Sequence, residues 1–340
     1  MAPRIGYLLP TRERVMEGRP ETGPLLVLAE RAEALGYDSI WVGDSITARP
    51  RHEPLTLLSA VAARIRKPEL GTAVLLPALR NPVVLAHGIA TLDQISEGRF
   101  ILGVGIASDV PNIRAEFTAC GVPFEKRVGR MLEGLRLCRE LWGGQPVDWN
   151  GRWVMEQAVL GPTPHRPGGP PIWIGAVAEP AVRRAGRIGD GYMGGDTGPA
   201  EFAEQVGWVR EGQAEGAVQR PFQLSIYQPT FAWEGEDAWS LVRDHHHYLN
   251  WKYEDMDEAR GRAGDAPAPP PLTPESEAEI RRHALVGTPE QVAEGIRAYG
   301  KAAGGELHFV AQLYWPGMPY ERQRDAMRVF AERETPLLRD

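Results

Sequence analysis

Short apolar runs alternate along this chain with longer stretches in which apolar residues recur every three or four positions. Ile5–Leu9, Ser39–Val42, Leu70–Leu76, Phe100–Val104 and Ile172–Ile174 read as strands, the apolar runs suiting burial on both faces. Tyr192-Met193, Gln223–Trp233 and Leu307–Leu313 continue the series. Between the strands lie helical patterns. Pro24 starts one that runs to Leu35 and stops at Gly36; Pro54–Ile65 is a second. After Asn81-Pro82, residues Val84, Leu85, Ile89, Leu92 and Ile95 keep the helical spacing until Gly98 closes it. Phe124–Trp142 presents Val128, Met131, Leu132, Leu135, Leu137 and Leu141 as one broad face. Pro180–Ile188, Glu201–Glu211, helical turns over Glu236–Arg260, Pro289–Tyr299 with Thr288 as N-cap, and Tyr320–Arg333 complete the set.

A strand, a helix and a second buried strand make a parallel crossover unit, and here the unit repeats. Eight strand candidates alternating with helices predict a closed parallel (β/α)8 barrel, a TIM barrel, over residues 1–340 as one domain. The alternative is an open doubly wound sheet. No glycine-rich dinucleotide fingerprint follows the first strand, which favours the barrel. Two insertions interrupt the alternation. After strand four, Gly143–Gly169 carries VDWNGRWVM, where Asn150-Gly151 between aromatic-flanked arms signals a tight β-hairpin. After strand seven, Trp233–Pro274 ends in a Pro-rich linker, Gly264–Pro274.

Composition narrows the class. The hydrophobic content of 43% and charged content of 24% suit a soluble globular chain. A formal net charge of −7 argues against a general nucleic-acid binder. There is no long apolar span or signal sequence, and Cys120 and Cys138 lack metal-ligand spacing, so a cytoplasmic protein with reduced thiols is expected. Nucleophile-elbow, Walker and HExxH patterns are absent. The chemistry is therefore expected from a bound cofactor that the protein orients and shields from water.

In such a barrel the site lies at the carboxyl ends of the strands. This places Asp44 and Ser45, Ala73–Leu75, Ile106–Asp109, Gly175–Glu179, Asp196 and Tyr314-Trp315 near one mouth. The small residues around Gly105, Ile106 and Ala107 let a ligand approach the backbone. Gly175-Ala176-Val177-Ala178-Glu179-Pro180 opens a helix, whose free N–H groups and dipole suit a phosphate. Arg183 and Arg184 add charge there or form a solvated helix face. His245-His246-His247 do not share a helix face, so no metal site is expected from them. Trp233, Trp239, Tyr248, Trp251 and Tyr253 are either core or the wall of a substrate pocket.

Three segments, GTAVLLP, TLDQISEGRFILGVG and GAVAEPAVRRAGRIGDGY, resemble in order the luciferase-like flavin and deazaflavin oxidoreductases. Within that superfamily the chain is similar to the probable F420-dependent oxidoreductases of actinobacteria. The resemblance implies a non-prolyl cis peptide at Ala73–Val74 in strand three, beneath the central ring of the cofactor. It implies cofactor contacts from Asp44, Ala73, Val74, Gly105, Ile106, Ala107, Gly175, Ala176, Val177, Ala178 and Glu179. The implied cofactor is coenzyme F420, exchanging hydride with a small organic substrate. The alternatives are an FMN monooxygenase supplied with reduced flavin by a partner reductase, and a flavin-binding barrel without turnover. Relatives often pair as homodimers through helices two and three, and EPLTLLSAVAARI is apolar enough for that. Two positions depart from the sugar-phosphate-oxidising relatives. Ser45 stands where many carry a histidine, and Ala107-Ser108-Asp109 stands where they place a catalytic glutamate. Asp109 is the candidate catalytic acid or base in its place.

Overall fold

The computed structural model describes residues 2–216, 221–258, 269–282 and 284–339. In chain order the strands are β1 (Arg4–Leu8), β2 (Ser39–Val42), β3 (Glu69–Thr72), β4 (Phe100–Val104), β5 (Val147–Asn150), β6 (Val154–Ala158), β7 (Ile172–Gly175), β8 (Gly191–Gly195), β9 (Gln223–Ala232), β10 (Leu285–Gly287) and β11 (His308–Gln312). The helices used below are α1 (Thr11–Met16), α2 (Thr22–Ala34), α3 (Pro54–Arg64), α4 (Pro82–Ile95), α5 (Pro111–Ala119), α6 (Arg127–Trp142), α7 (Glu179–Ile188), α8 (Pro199–Glu215) and α9 (Ala238–Glu258).

Parallel pairing runs β1-β2-β3-β4-β7-β8-β9-β11 and returns to β1. The ring of eight is closed, which removes the open doubly wound alternative. β5 and β6 form the antiparallel hairpin in the excursion before β7, and β10 is an added edge on β9. The strands are buried on both sides for two separate reasons. Outside, their apolar residues pack on the helices in one large core. Inside, Trp41, Ile101, Trp173, Met193 and Val310 fill the barrel. Trp41 and Trp173 lie 5.2 Å apart by ring centroids, and His308 sits edge-on to both. Ser39 Oγ accepts from Trp41 Nε1 at 2.6 Å and lies 2.6 Å from His308 Nε2. Burial, with a smaller push from Arg4, lowers the His308 pKa to about 3, so the ring is a neutral part of the plug.

Several boundaries differ from the sequence reading. β3 ends at Thr72 rather than Leu76, because the chain bulges there. Ala73 N donates to Val42 O, Leu75 N to Gly103 O, and Gly105 N to Leu75 O. The Ala73–Val74 peptide is cis. The Arg- and Glu-rich stretch Thr11–Thr22 after β1, polar enough to read as a loop, instead holds α1, which buries Arg12 and Glu13 against each other. The segment after β4 contains α5, whose buried residues are Ile113, Glu116 and Phe117. The long helix expected from Phe124 begins as a single 3-10 turn before α6. Residues 264–268 of the Pro-rich linker lie outside the described residues, as do 259 and 260 at the end of the expected turns.

Candidate active site

The carboxyl ends of the barrel strands enclose a cavity of about 310 Å³. Leu8 and Leu9 reach it from β1, Gly43, Asp44 and Ser45 from β2, and Ala73 and Val74 from the bulge after β3. Ala107 and Ser108 follow β4, Gly175–Val177 follow β7, and Gly194–Asp196 follow β8. Tyr227 on β9 and Gln312 on β11 complete the circle, and Tyr253 of α9 leans in from the strand-seven excursion.

Val74 forms the floor, and its position depends on two glycines. A Cβ on Gly105 would lie 2.6 Å from Val74 Cγ2, and one on Gly175 would lie 2.9 Å from Cγ1. Neither distance is tolerated, so both residues must lack a side chain for Val74 to sit between them. Gly105 thus shapes the cavity from beneath without lining it.

Asp44 is buried and fully engaged. Its Oδ2 accepts from Leu76 N at 2.9 Å and Arg80 Nη1 at 2.6 Å, and its Oδ1 accepts from Arg80 Nη2 at 3.0 Å. This fork pins the end of β2 to the segment after the bulge. Ser45 is equally committed. Its Oγ donates to Glu116 Oε1 at 2.9 Å and accepts from Arg49 N at 2.9 Å. The same Glu116 oxygen accepts from the backbone N–H groups of Ile46, Thr47 and Ala48. Asn112, one turn earlier on α5, donates to Ala48 O and Met256 O. The loop after β2 is therefore shaped by α5, which was not legible as an element beforehand.

That loop delivers Arg49 and Arg51 to the cavity, where they meet Arg12 of α1. Arg12 is held by Glu13, whose Oε1 also accepts from Gln312. Tyr253 lies between Arg12 and Arg49, with guanidinium carbons 4.5 and 3.9 Å from its ring centroid. Arg51 donates through Nε to Arg49 O at 3.1 Å. Burial, and then Arg12 and Arg49 beside it, push its pKa down. Sequence reading missed this cluster. The three arginines lie on two polar stretches with no helical or strand period, and only the closed barrel brings the stretches together.

Several expected contacts are placed elsewhere. Asp109 does not line the cavity. Its carboxylate is 54% exposed and accepts from Arg114 Nε at 2.6 Å and Nη2 at 2.8 Å. Those bonds hold its pKa below the usual carboxylate range, the opposite of what a proton-transferring group near neutrality needs. Ile106, Ala178 and Glu179 also lie off the cavity wall, and Glu179 accepts from Arg183 one turn along α7. Asp44, Ala73, Val74, Ala107, Gly175, Ala176 and Val177 are brought together on the wall. His245, His246 and His247 each face a different backbone carbonyl, of Pro316, Ile280 and Pro270. Of the aromatic residues in that excursion, Tyr253 reaches the cavity, while Trp233 and Trp239 pack in a satellite core.

Among the described residues no group of His, Cys, Asp or Glu is arranged to hold a metal ion. Among the described residues the wall carries no Ser–His or Cys–His pair. What it offers is a flat apolar floor, glycine backbone on several sides, a pinned carboxylate at one edge and a helix-opening turn at another. That donor set fits a planar, phosphate-bearing ring cofactor.

Comparison with known proteins identifies the family. The luciferase-like monooxygenase family model matches residues 3–306. An F420-dependent glucose-6-phosphate dehydrogenase of Mycolicibacterium smegmatis is 30% identical over 335 residues, covering 93% of this chain and 94% of that one. Among solved structures, a monooxygenase of Streptomyces bottropensis superposes with a TM-score of 0.80 at 24% identity, covering 98% of this chain and 99% of the other. An F420-dependent secondary alcohol dehydrogenase bound to an F420–acetone adduct gives a TM-score of 0.77 at 20% identity, with both chains covered in full.

Proposed function

Because the chain belongs to the luciferase-like monooxygenase family, we propose that it is an oxidoreductase that binds coenzyme F420 at the barrel mouth and exchanges hydride with a small organic substrate. The observation that carries the reading is the floor, where Val74 stands between Gly105 and Gly175 and presents an apolar face upward. Val74 and Ala73 would support the ring from below, Asp44 would border it, and the Gly175–Val177 turn would take the phosphate. When bound, the deazaflavin supplies two-electron hydride transfer, whereas FMN in its place supplies oxygen activation. Leu8, Leu9 and Leu76 keep water from one side of the cavity, and the paired Asp44 and Arg80 hold its edge rigid.

Glucose 6-phosphate is not the substrate proposed here. Ser45 is committed to building its own loop, and Asp109 faces away from the cavity. The second reading is an FMN monooxygenase with a partner reductase, supported in fold alone by the Streptomyces bottropensis enzyme. In either case we picture one barrel domain over 1–340, acting in the cytoplasm as a homodimer on a small molecule. Among the described residues no helix is long and apolar enough to cross a membrane. The test is to titrate F420 and FMN side by side into the purified protein, following tryptophan fluorescence. Tighter F420 binding supports the first reading. Tighter FMN binding with reductase-dependent oxygen uptake replaces it with the second, and no response to either removes both.

A further inference from the structure

Among the described residues, Arg51 on the cavity wall has no carboxylate counter-ion. The carboxylates on the wall are Glu13, Asp44 and Asp196. Glu13 is taken by Arg12 and Asp44 by Arg80. Asp196, just after β8, acts on Tyr227 and is not among the groups that act on Arg51. Among the described residues Arg51 pairs with no carboxylate, and its one hydrogen bond is from Nε to Arg49 O. The fork of its two terminal nitrogens is thus left to the cavity. Nη1 lies over Gly43, 2.2 Å from where a Cβ would stand, and that point is 3.6 Å from Ala73 O. The fork is therefore beside the bulge that makes the floor.

We propose that Arg51 is the anchor for the carboxylate of a singly charged organic acid, which is the substrate class of this enzyme. The inference rests on the oxidoreductase reading for the word substrate, though not for the binding site itself. A guanidinium fork matches a carboxylate with two parallel hydrogen bonds. One fork is satisfied by one carboxylate, and Arg12 beside it is already taken by Glu13. Leu8, Leu9 and Ile113 give the body of the acid an apolar wall. With its acid group fixed near Ala73 at the edge of the floor, the remainder of the molecule would lie against the face of the cofactor ring that points away from Val74.

The test uses the full chain without added cofactor. Hexanoate, benzoate and their uncharged amides are titrated by calorimetry into the wild type, Arg51→Gln and Arg51→Lys, with circular dichroism confirming the fold of each. The expected result is a preference for at least one acid over its amide of about tenfold or more in the wild type. Arg51→Gln should abolish that preference and Arg51→Lys should keep part of it. Equal affinity for acid and amide, an unaltered preference in Arg51→Gln, or no acid bound at millimolar concentration would overturn the proposal. Inorganic phosphate binding more tightly than the acids, and lost in Arg51→Gln, would overturn the single-charge assignment. The F420 and FMN titrations are run separately on the wild type. Their failure removes the oxidoreductase reading and leaves the acid-binding result to stand by itself.

Discussion

Glu116→Ala should loosen the loop that builds the cavity while leaving the barrel intact. In the wild type one carboxylate oxygen accepts from Ser45 Oγ and from three successive backbone N–H groups, those of Ile46, Thr47 and Ala48. Ile46 and Thr47 are exposed, so water can replace the acceptor for them at little cost. Ser45 and Ala48 are buried, and their donors would be left without a partner. Each unsatisfied buried donor costs about 1–3 kcal/mol, so the pair costs roughly 2–4 kcal/mol if some water follows the loop outward. For a chain of this size that corresponds to about 3–6 °C in the thermal midpoint. Glu116→Gln keeps an acceptor oxygen but loses the charge, and should lie between the two. Circular dichroism melts give the stability, and hydrogen exchange on the amides of Ile46, Thr47 and Ala48 gives the location. Exchange should speed up there and not in the strands. An alanine variant with an unchanged midpoint and unchanged exchange at those amides would refute the view that α5 shapes the loop.

Three further outcomes follow from the same geometry. Gly105→Ala should fold but displace Val74, since the added methyl meets Cγ2 at 2.6 Å; overpacking of about 1–3 kcal/mol should weaken cofactor binding in a fluorescence titration, and unchanged affinity would detach the floor from the cofactor. Ala176→Asp sets a negative charge on the turn after β7 and should lower F420 affinity by roughly ten- to hundredfold; a folded variant with wild-type affinity would place the phosphate elsewhere. His308 has a folded pKa depressed to about 3 from an ordinary 6.5, so its contribution is complete above pH 6.5 and is lost as pH falls toward 3. The unfolding free energy from urea melts should therefore drop over that window by up to about 4–5 kcal/mol, and His308→Gln should flatten the slope; Glu334, raised by burial, acts with the opposite sign and is common to both proteins.

The barrel was legible because each strand is a short apolar run and each helix an amphipathic one, and both signals are local. Boundaries failed where the chain departs from its period. Leu75 and Leu76 look like a continuation of β3, yet the bulge at Ala73 has already turned the chain, and nothing in an apolar run marks such a turn. α5 was missed because Ile113 and Phe117 are a sparse face, with the buried Glu116 reading as a polar position. Its burial is repaid by four hydrogen bonds from a loop more than sixty residues away in sequence. Asp109 lies off the cavity wall for a similar reason. Position at a strand end places a residue near the mouth but does not fix its rotamer, and Arg114 on the next helix takes the carboxylate outward. The arginine cluster has no sequence period at all.

The unpaired state of Arg51 has an energetic consequence that separates a binding residue from a structural one. Arg80 closes a bidentate pair with a buried carboxylate, so its removal would leave Asp44 charged and unpaired, at about 3–5 kcal/mol. Arg51 closes no such pair. Its removal relieves the desolvation of a cation and its repulsion with Arg12 and Arg49, and loses one hydrogen bond to Arg49 O. These terms are comparable, so Arg51→Met should leave the unfolding free energy unchanged or raise it by about 1 kcal/mol at most, with the thermal midpoint moving accordingly. Ligand then separates the two proteins. A saturating acid raises the wild-type midpoint by linkage, worth about 2.7 kcal/mol at a hundred times its dissociation constant, and leaves the methionine variant where it was. A marked loss of stability in Arg51→Met without ligand would make Arg51 a structural residue with an unrecognised partner. A variant equal to the wild type in stability but blind to the acid would identify it as a charge held ready for a ligand.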